Sequence, residues 1–165
     1  MSLRGCDMKK SERKTYAVWI LFTEAVGALS GWLTRGETQT YSDIIRQPPL
    51  SPPGGVFPVI WGILFALMGI GATRIYLASA SHARSSGLFL YLLQLLFNFF
   101  WSIIFFRFQT FGAALIWLLL LWILILLMIL AFYEVDKPAA WLQIPYLLWV
   151  TFAAYLNFGV WRLNR

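Results

Sequence analysis

Apolar residues gather along the chain in five runs, at about residues 17–33, 56–78, 88–106, 111–133 and 139–161, separated by polar or Pro- and Gly-bearing links. Each run is about 17 to 23 residues long, the length an α-helix needs to cross roughly 30 Å of hydrocarbon. A helix also satisfies its own backbone hydrogen bonds there, which an open strand cannot do. The pattern therefore predicts an all-α integral membrane protein, a bundle of five transmembrane helices formed by a single domain over residues 17–165 behind a basic segment at 1–16. The first run carries a competing reading. Its basic lead-in resembles that of a signal peptide and Ala28-Leu29-Ser30 resembles a small-residue cleavage site, against which Glu24 interrupts the apolar run early. Most links are short, which makes successive helices antiparallel neighbours. Residues 34–55 alone are long enough to fold over an end of the bundle.

That long link contains QPPLSPPGG, residues 47–55. Pro48, Pro49, Pro52 and Pro53 fix φ and hold the backbone extended, so the segment keeps a shape at little entropic cost. Gly54 and Gly55 then permit a sharp change of direction. One reading is a plain turn between spans. The other is a stiff lid framed by Pro48, Pro52, Pro53 and Gly54.

Composition strengthens the membrane assignment. Hydrophobic residues make up 60%, charged residues only 12%, and the mean hydropathy is +0.71, against about 25% charged in soluble domains. The net charge of +6 belongs to links and ends, and five of the thirteen Lys and Arg lie within the first fourteen residues, just before an apolar run. That placement is a membrane-surface and orientation signal rather than a nucleic-acid footprint, and the excess on the N-terminal side favours the N-terminus inside. Met8 followed by two lysines is a second start pattern, so residues 1–7 receive no functional weight. A single cysteine, Cys6, excludes an internal disulfide, and with only one histidine, His82, in a predicted link, no His/Cys metal cluster can be assembled.

The residues that lipid would not select carry the functional signal. In the third run Gln94, Asn98, Trp101 and Phe105 recur at helical spacing on one face. Amides are costly in hydrocarbon, so this face turns inward, either as interhelical glue or as a polar anchor in an aromatic pocket. In the fifth run Trp149, Ala153, Leu156 and Asn157 share a stripe, and Pro145 is placed to kink the helix near Trp149. In the second run Trp61 and Phe65 stand four residues apart just beyond the proline link. Trp19, Trp32, Trp141 and Trp161 lie near span ends, where an interfacial belt accounts for them. Gly27 and Gly31 form the clearest small-xxx-small pair, a helix-packing signal.

These motifs together resemble the TspO/MBR family, the translocator or tryptophan-rich sensory proteins. The resemblance rests on P-x-x-x-P-P-G at 48–54, FPVIWGILFALMG at 57–69, Q-x-x-x-N-x-x-W at 94–101, PYLLW at 145–149, FAAYLN at 152–157 and WRLN at 161–164, in that order across nearly the whole chain. It implies a five-helix bundle, normally a homodimer in the bacterial cell membrane, with the first loop closing a pocket. Carried over position by position, it makes Trp61, Asn98, Trp101, Trp149 and Ala153 pocket residues, and helical spacing adds Phe65 and Gln94 to the ligand-binding set. The implied ligand is a porphyrin such as protoporphyrin IX, with no cofactor or metal required and a sensing role in porphyrin homeostasis or stress. Two alternatives stay open: light-dependent porphyrin degradation involving Trp61 and Trp149, and transport of porphyrin or another hydrophobic molecule. Intramembrane charges and repeat symmetry, which mark transporters, are sparse, and no nucleophile set points to ordinary catalysis. The sequence departs from the family pattern at Leu50, where a tryptophan is usual, at Tyr41-Ser42, at Trp117 in place of an acidic residue, and at Phe158 in the sterol-recognition stretch, which demotes sterol binding.

Overall fold

The computed structural model describes residues 3–165, without the side chains at 3–9, 39, 40, 42 and 43. Met1, Ser2 and those early side chains, which include most of the upstream segment given no weight above, lie outside the described residues. Helix α1 spans Leu3–Leu33, α2 Arg35–Ile44, α3 Val56–Leu77, α4 His82–Ser102, α5 Phe111–Val135, α6 Lys137–Trp141 and α7 Ile144–Leu163. A π-helical turn, Ile103–Arg107, extends α4. Among the described residues five helical stretches are long and apolar enough to cross a membrane: Lys10–Leu33, Val56–Leu77, His82–Arg107, Phe111–Val135 and Lys137–Leu163. The protein is an integral membrane protein.

Boundaries differ from expectation for identifiable reasons. The α1 helix starts well before residue 17, because apolar composition marks where lipid begins and not where helical geometry begins. Ser81 caps α4 by accepting a hydrogen bond from the Arg84 amide at 3.1 Å, so the link predicted to reach residue 87 ends at 81 and His82 opens a helix. The long link is not all loop, since α2 occupies half of it. Pro145 does not kink a continuous helix. It sits in the first turn of α7, where a missing N–H costs nothing, and the break falls at Leu142 and Gln143.

Helix α1 packs along α3 and also touches α4, α4 packs along α5, and α5 packs against α7; α3 and α7 meet only loosely. Two glycines allow the α1 and α3 contact. A Cβ on Gly69 would lie 2.7 Å from the Ile20 Cα, and one on Gly27 would lie 2.0 Å from Cε2 of Phe65, whereas nothing lies within 4 Å at Gly31. The outward surface is a girdle of Val18, Leu21, Ile63, Phe89, Ile116 and Leu148, all exposed. Large apolar side chains face outward because lipid, not water, is the solvent. At the end of α3, Arg74 forms a two-pronged ion pair with Asp136, at 2.5 and 3.1 Å, which balances its charge at the span end.

Candidate functional site

The predicted inward face of α4 is inward. Gln94, Asn98, Trp101 and Phe105 are all buried, as helical periodicity requires of four residues on one stripe. Each amide meets α7. Asn98 Nδ2 donates to the Tyr146 hydroxyl at 2.9 Å, and that hydroxyl donates to Gln94 Oε1 at 2.8 Å. One turn nearer the proline loop, the Trp101 indole N–H donates to Asn157 Oδ1 at 3.3 Å, while Asn157 Nδ2 donates to the Phe111 carbonyl at 2.8 Å. At the other end a hydroxyl pair joins Thr23 on α1 to Tyr91 on α4. The interior is thus crossed by successive polar rungs, and the interhelical-glue reading of Gln94 and Asn98 accounts for most of their bonds.

Some polar atoms remain without a partner. Among the described residues, Gln94 Nε2, Trp149 Nε1 and Gln143 Oε1 are buried with no hydrogen bond. The first two are donors, and a buried donor left unpaired costs about 1–3 kcal/mol. Gln143 is held over Gly71, where a Cβ would lie 2.1 Å from its Nε2, and that nitrogen donates to the Ala139 carbonyl at 3.2 Å.

Aromatic rings surround these groups. Trp61 stacks on Phe65 with centroids 5.3 Å apart and meets Tyr146 edge-on at 6.1 Å. Trp149 meets Phe57 edge-on at 5.8 Å, and Trp101 stacks on Phe105 at 5.3 Å. Trp61 and Trp149 are half-buried, while Phe65, Trp101 and Ala153 are buried. Between α3 and α7 opens an apolar groove of about 530 Å³ lined by Ile60, Ile63, Leu64, Leu67, Pro145, Leu148, Trp149 and Phe152. Of the residues predicted to bind ligand, Trp149 alone lines it. Its volume is within the usual range for a small-molecule site.

The proline loop packs against the C-terminal half of α7. Pro48 is buried against Gly159, where a Cβ would lie 2.5 Å from the Pro48 Cβ. Pro52 is half-buried, and Pro53 and Gly54 are exposed, so the frame predicted for the loop touches the bundle chiefly through Pro48. Leu50, which replaces the expected tryptophan, is 78% exposed and has φ of 69°. Helix α2 anchors the segment through Tyr41, whose ring contacts Phe105 and Phe106, each at 5.4 Å. Burial pushes the Tyr41 phenol up to about 12.

Among the tryptophans assigned to the interface, Trp32 and Trp141 are exposed. Trp19 instead packs against Tyr76 and Tyr91 at 5.6 and 5.7 Å, and Trp161 fills the space beside Gly112. Sequence reasoning missed Tyr146, Gln143 and Asn164. Tyr146 was visible as a phenol next to Pro145 at span depth, a polar group that has to find a partner. Among the described residues no group of three or more His, Cys, Asp or Glu could hold a metal ion.

Fold and site together define a small tryptophan-rich helical membrane protein with an aromatic interior. The chain belongs to the TspO/MBR family, whose pattern matches residues 19–162. It is 38% identical to the tryptophan-rich protein TspO of Chlorobaculum tepidum over 91% of this chain and 96% of that protein. It is 33% identical to the tryptophan-rich sensory protein of Cereibacter sphaeroides, over 88% of this chain and 92% of the relative. Against the translocator protein of Bos taurus it is 36% identical over 84% and 83%.

Proposed function

We propose that this protein is a membrane receptor or sensor that binds a tetrapyrrole, such as protoporphyrin IX, within the aromatic bundle beneath the proline loop. The observation that carries the reading is the pair of buried, unpartnered N–H donors, Gln94 Nε2 and Trp149 Nε1, set among packed aromatic rings. A flat π-system bearing carboxylates meets both needs: its face stacks on indole, and its oxygens accept from donors that are otherwise unsatisfied. Trp61, Trp101 and Trp149 supply the faces, Phe65 and Ala153 shape the space, and Gln94 and Asn98 supply polar contacts. The single histidine, His82, is exposed at the first residue of its span, away from the buried aromatic rings, so stacking rather than axial ligation holds the ligand. The name of the Cereibacter relative, a sensory protein, agrees with a sensing role. We also propose a homodimer, on the family resemblance.

The test is a tryptophan-quenching titration of the purified protein with protoporphyrin IX, run in darkness and under illumination. Saturable quenching in both conditions with the porphyrin recovered unchanged is the expected result. Light-dependent loss of the porphyrin absorption would replace sensing with photochemical turnover, and absence of saturable quenching would remove the tetrapyrrole reading.

A further inference from the structure

The last residues of the chain hold the proline loop in place, and they do so with a matched set of contacts. Asn164 Nδ2 donates to the Arg46 carbonyl at 2.9 Å, and the Arg46 amide donates back to Asn164 Oδ1 at 3.0 Å. One carboxamide therefore pairs with both polar groups of a single backbone residue, a match that needs donor and acceptor side by side. Its orientation is fixed by a third bond, from Nδ2 to the Val160 carbonyl at 2.8 Å. Further back on α7, Gly159 receives Pro48, and the Tyr155 hydroxyl donates to the Pro49 carbonyl at 3.1 Å. Three positions of α7 and its end thus grip residues 46, 48 and 49.

Within the loop, Ser51 closes a turn onto the Pro48 carbonyl through its hydroxyl at 2.8 Å and its amide at 3.4 Å. Proline stiffness and this turn make the segment move as one piece. A stiff piece held by few, solvent-reached hydrogen bonds comes away as a unit when they open, because it does not deform gradually.

We propose that Asn164 is a positioning residue, the clasp that holds the proline loop shut over the bundle and so sets how fast ligand enters and leaves. The part concerning ligand rests on the tetrapyrrole reading above; the clasp itself does not. Asn164 acts through the loop and touches no ligand. Gly159 and Tyr155 assist it, and loss of the reciprocal pair shifts the loop toward its released position by about three- to tenfold, the equivalent of about one net hydrogen bond.

The experiment uses the full-length protein in lipid nanodiscs, with Cys6→Ser and a spin label at Gln47→Cys, an exposed site inside the gripped segment. Asn164→Ala and, independently, Gly159→Ala are compared with the parent for label mobility, helical melting and the dissociation rate of protoporphyrin IX. Both variants are expected to mobilise the label and speed dissociation about three- to tenfold without lowering helical melting, and Asn164→Asp, which keeps only the acceptor, is expected to fall between. A label as immobile in both variants as in the parent overturns the clasp. A mobilised label with an unchanged dissociation rate overturns its control of exchange. If the parent binds no porphyrin while the label still responds, the tetrapyrrole reading fails and the clasp stands.

Discussion

Phe65 occupies the place where a side chain on Gly27 would begin: a Cβ there would lie 2.0 Å from its Cε2 and 2.4 Å from its Cδ2. Gly27 is therefore spent on packing α1 against α3 inside one subunit. The homodimer implied by family resemblance has to be sought on another lipid-facing surface. Gly27→Ala is expected to destabilise the protein by about 1–3 kcal/mol through overpacking, read as a lower melting temperature in mild detergent. Gly31→Ala, which meets nothing within 4 Å, should leave melting unchanged or slightly raised, since alanine favours helix. Equal effects at the two positions would show that Gly27 is not the contact.

Tyr146→Phe removes the hydroxyl that serves both Asn98 and Gln94. Two buried amide groups then lose a partner, and stability should fall by about 1–3 kcal/mol, or nearer the lower figure if lipid-side partners compensate in the unfolded state. Asn98→Leu should cost less, because it deletes the stranded group as well as the bond. Denaturant titration in detergent micelles distinguishes them; an undisturbed Tyr146→Phe midpoint would show that the node contributes nothing net.

Under the tetrapyrrole reading, Trp61→Ala and Trp149→Ala should each weaken protoporphyrin IX binding at least about tenfold, from lost stacking of roughly 0.5–1.5 kcal/mol and lost apolar burial. Trp→Phe at either site should be milder. Trp141, 65% exposed, is the control, and its substitution should leave affinity unchanged. Equal losses at all three would mean that the tryptophans act through general packing.

Leu50 holds φ at 69° with its side chain in the open. A branched apolar residue in the left-handed region costs about 1–2 kcal/mol, and little packing repays it here. Leu50→Asn tolerates this backbone and should slow hydrogen exchange at the amides of Arg46, Gln47, residue 50 and Ser51. Faster exchange would show that Leu50 makes a stabilising contact in the membrane.

Burial raises the Tyr41 phenol from its ordinary value near 10 to about 12. The folded state therefore holds the proton more tightly than the unfolded one, so the contribution is complete below pH 10 and is lost as pH rises through 12. Docking of α2 onto Phe105 and Phe106 should weaken across that window, seen as a pH-dependent gain in mobility of a label on α2. In Tyr41→Phe that step should vanish.

The sequence by itself determined the membrane solvent, the five spans and the inward faces, because each depends on a local period or on the cost of placing an amide or charge in hydrocarbon. Gln94, Asn98, Trp101 and Phe105 had to share a buried side whatever they touched. Which partner each one finds was not local information: Tyr146 lies 52 residues from Gln94, Asn157 lies 56 from Trp101, and Arg46 lies 118 from Asn164. The helix inside the long link, the loose seam between α3 and α7, and the choice of Gly27 rather than Gly31 as a contact likewise depend on how the helices close on one another. Tertiary packing alone decided them, since a hydrogen bond between distant residues needs the backbones brought within about 3 Å, and no single helix carries the geometry of its neighbour.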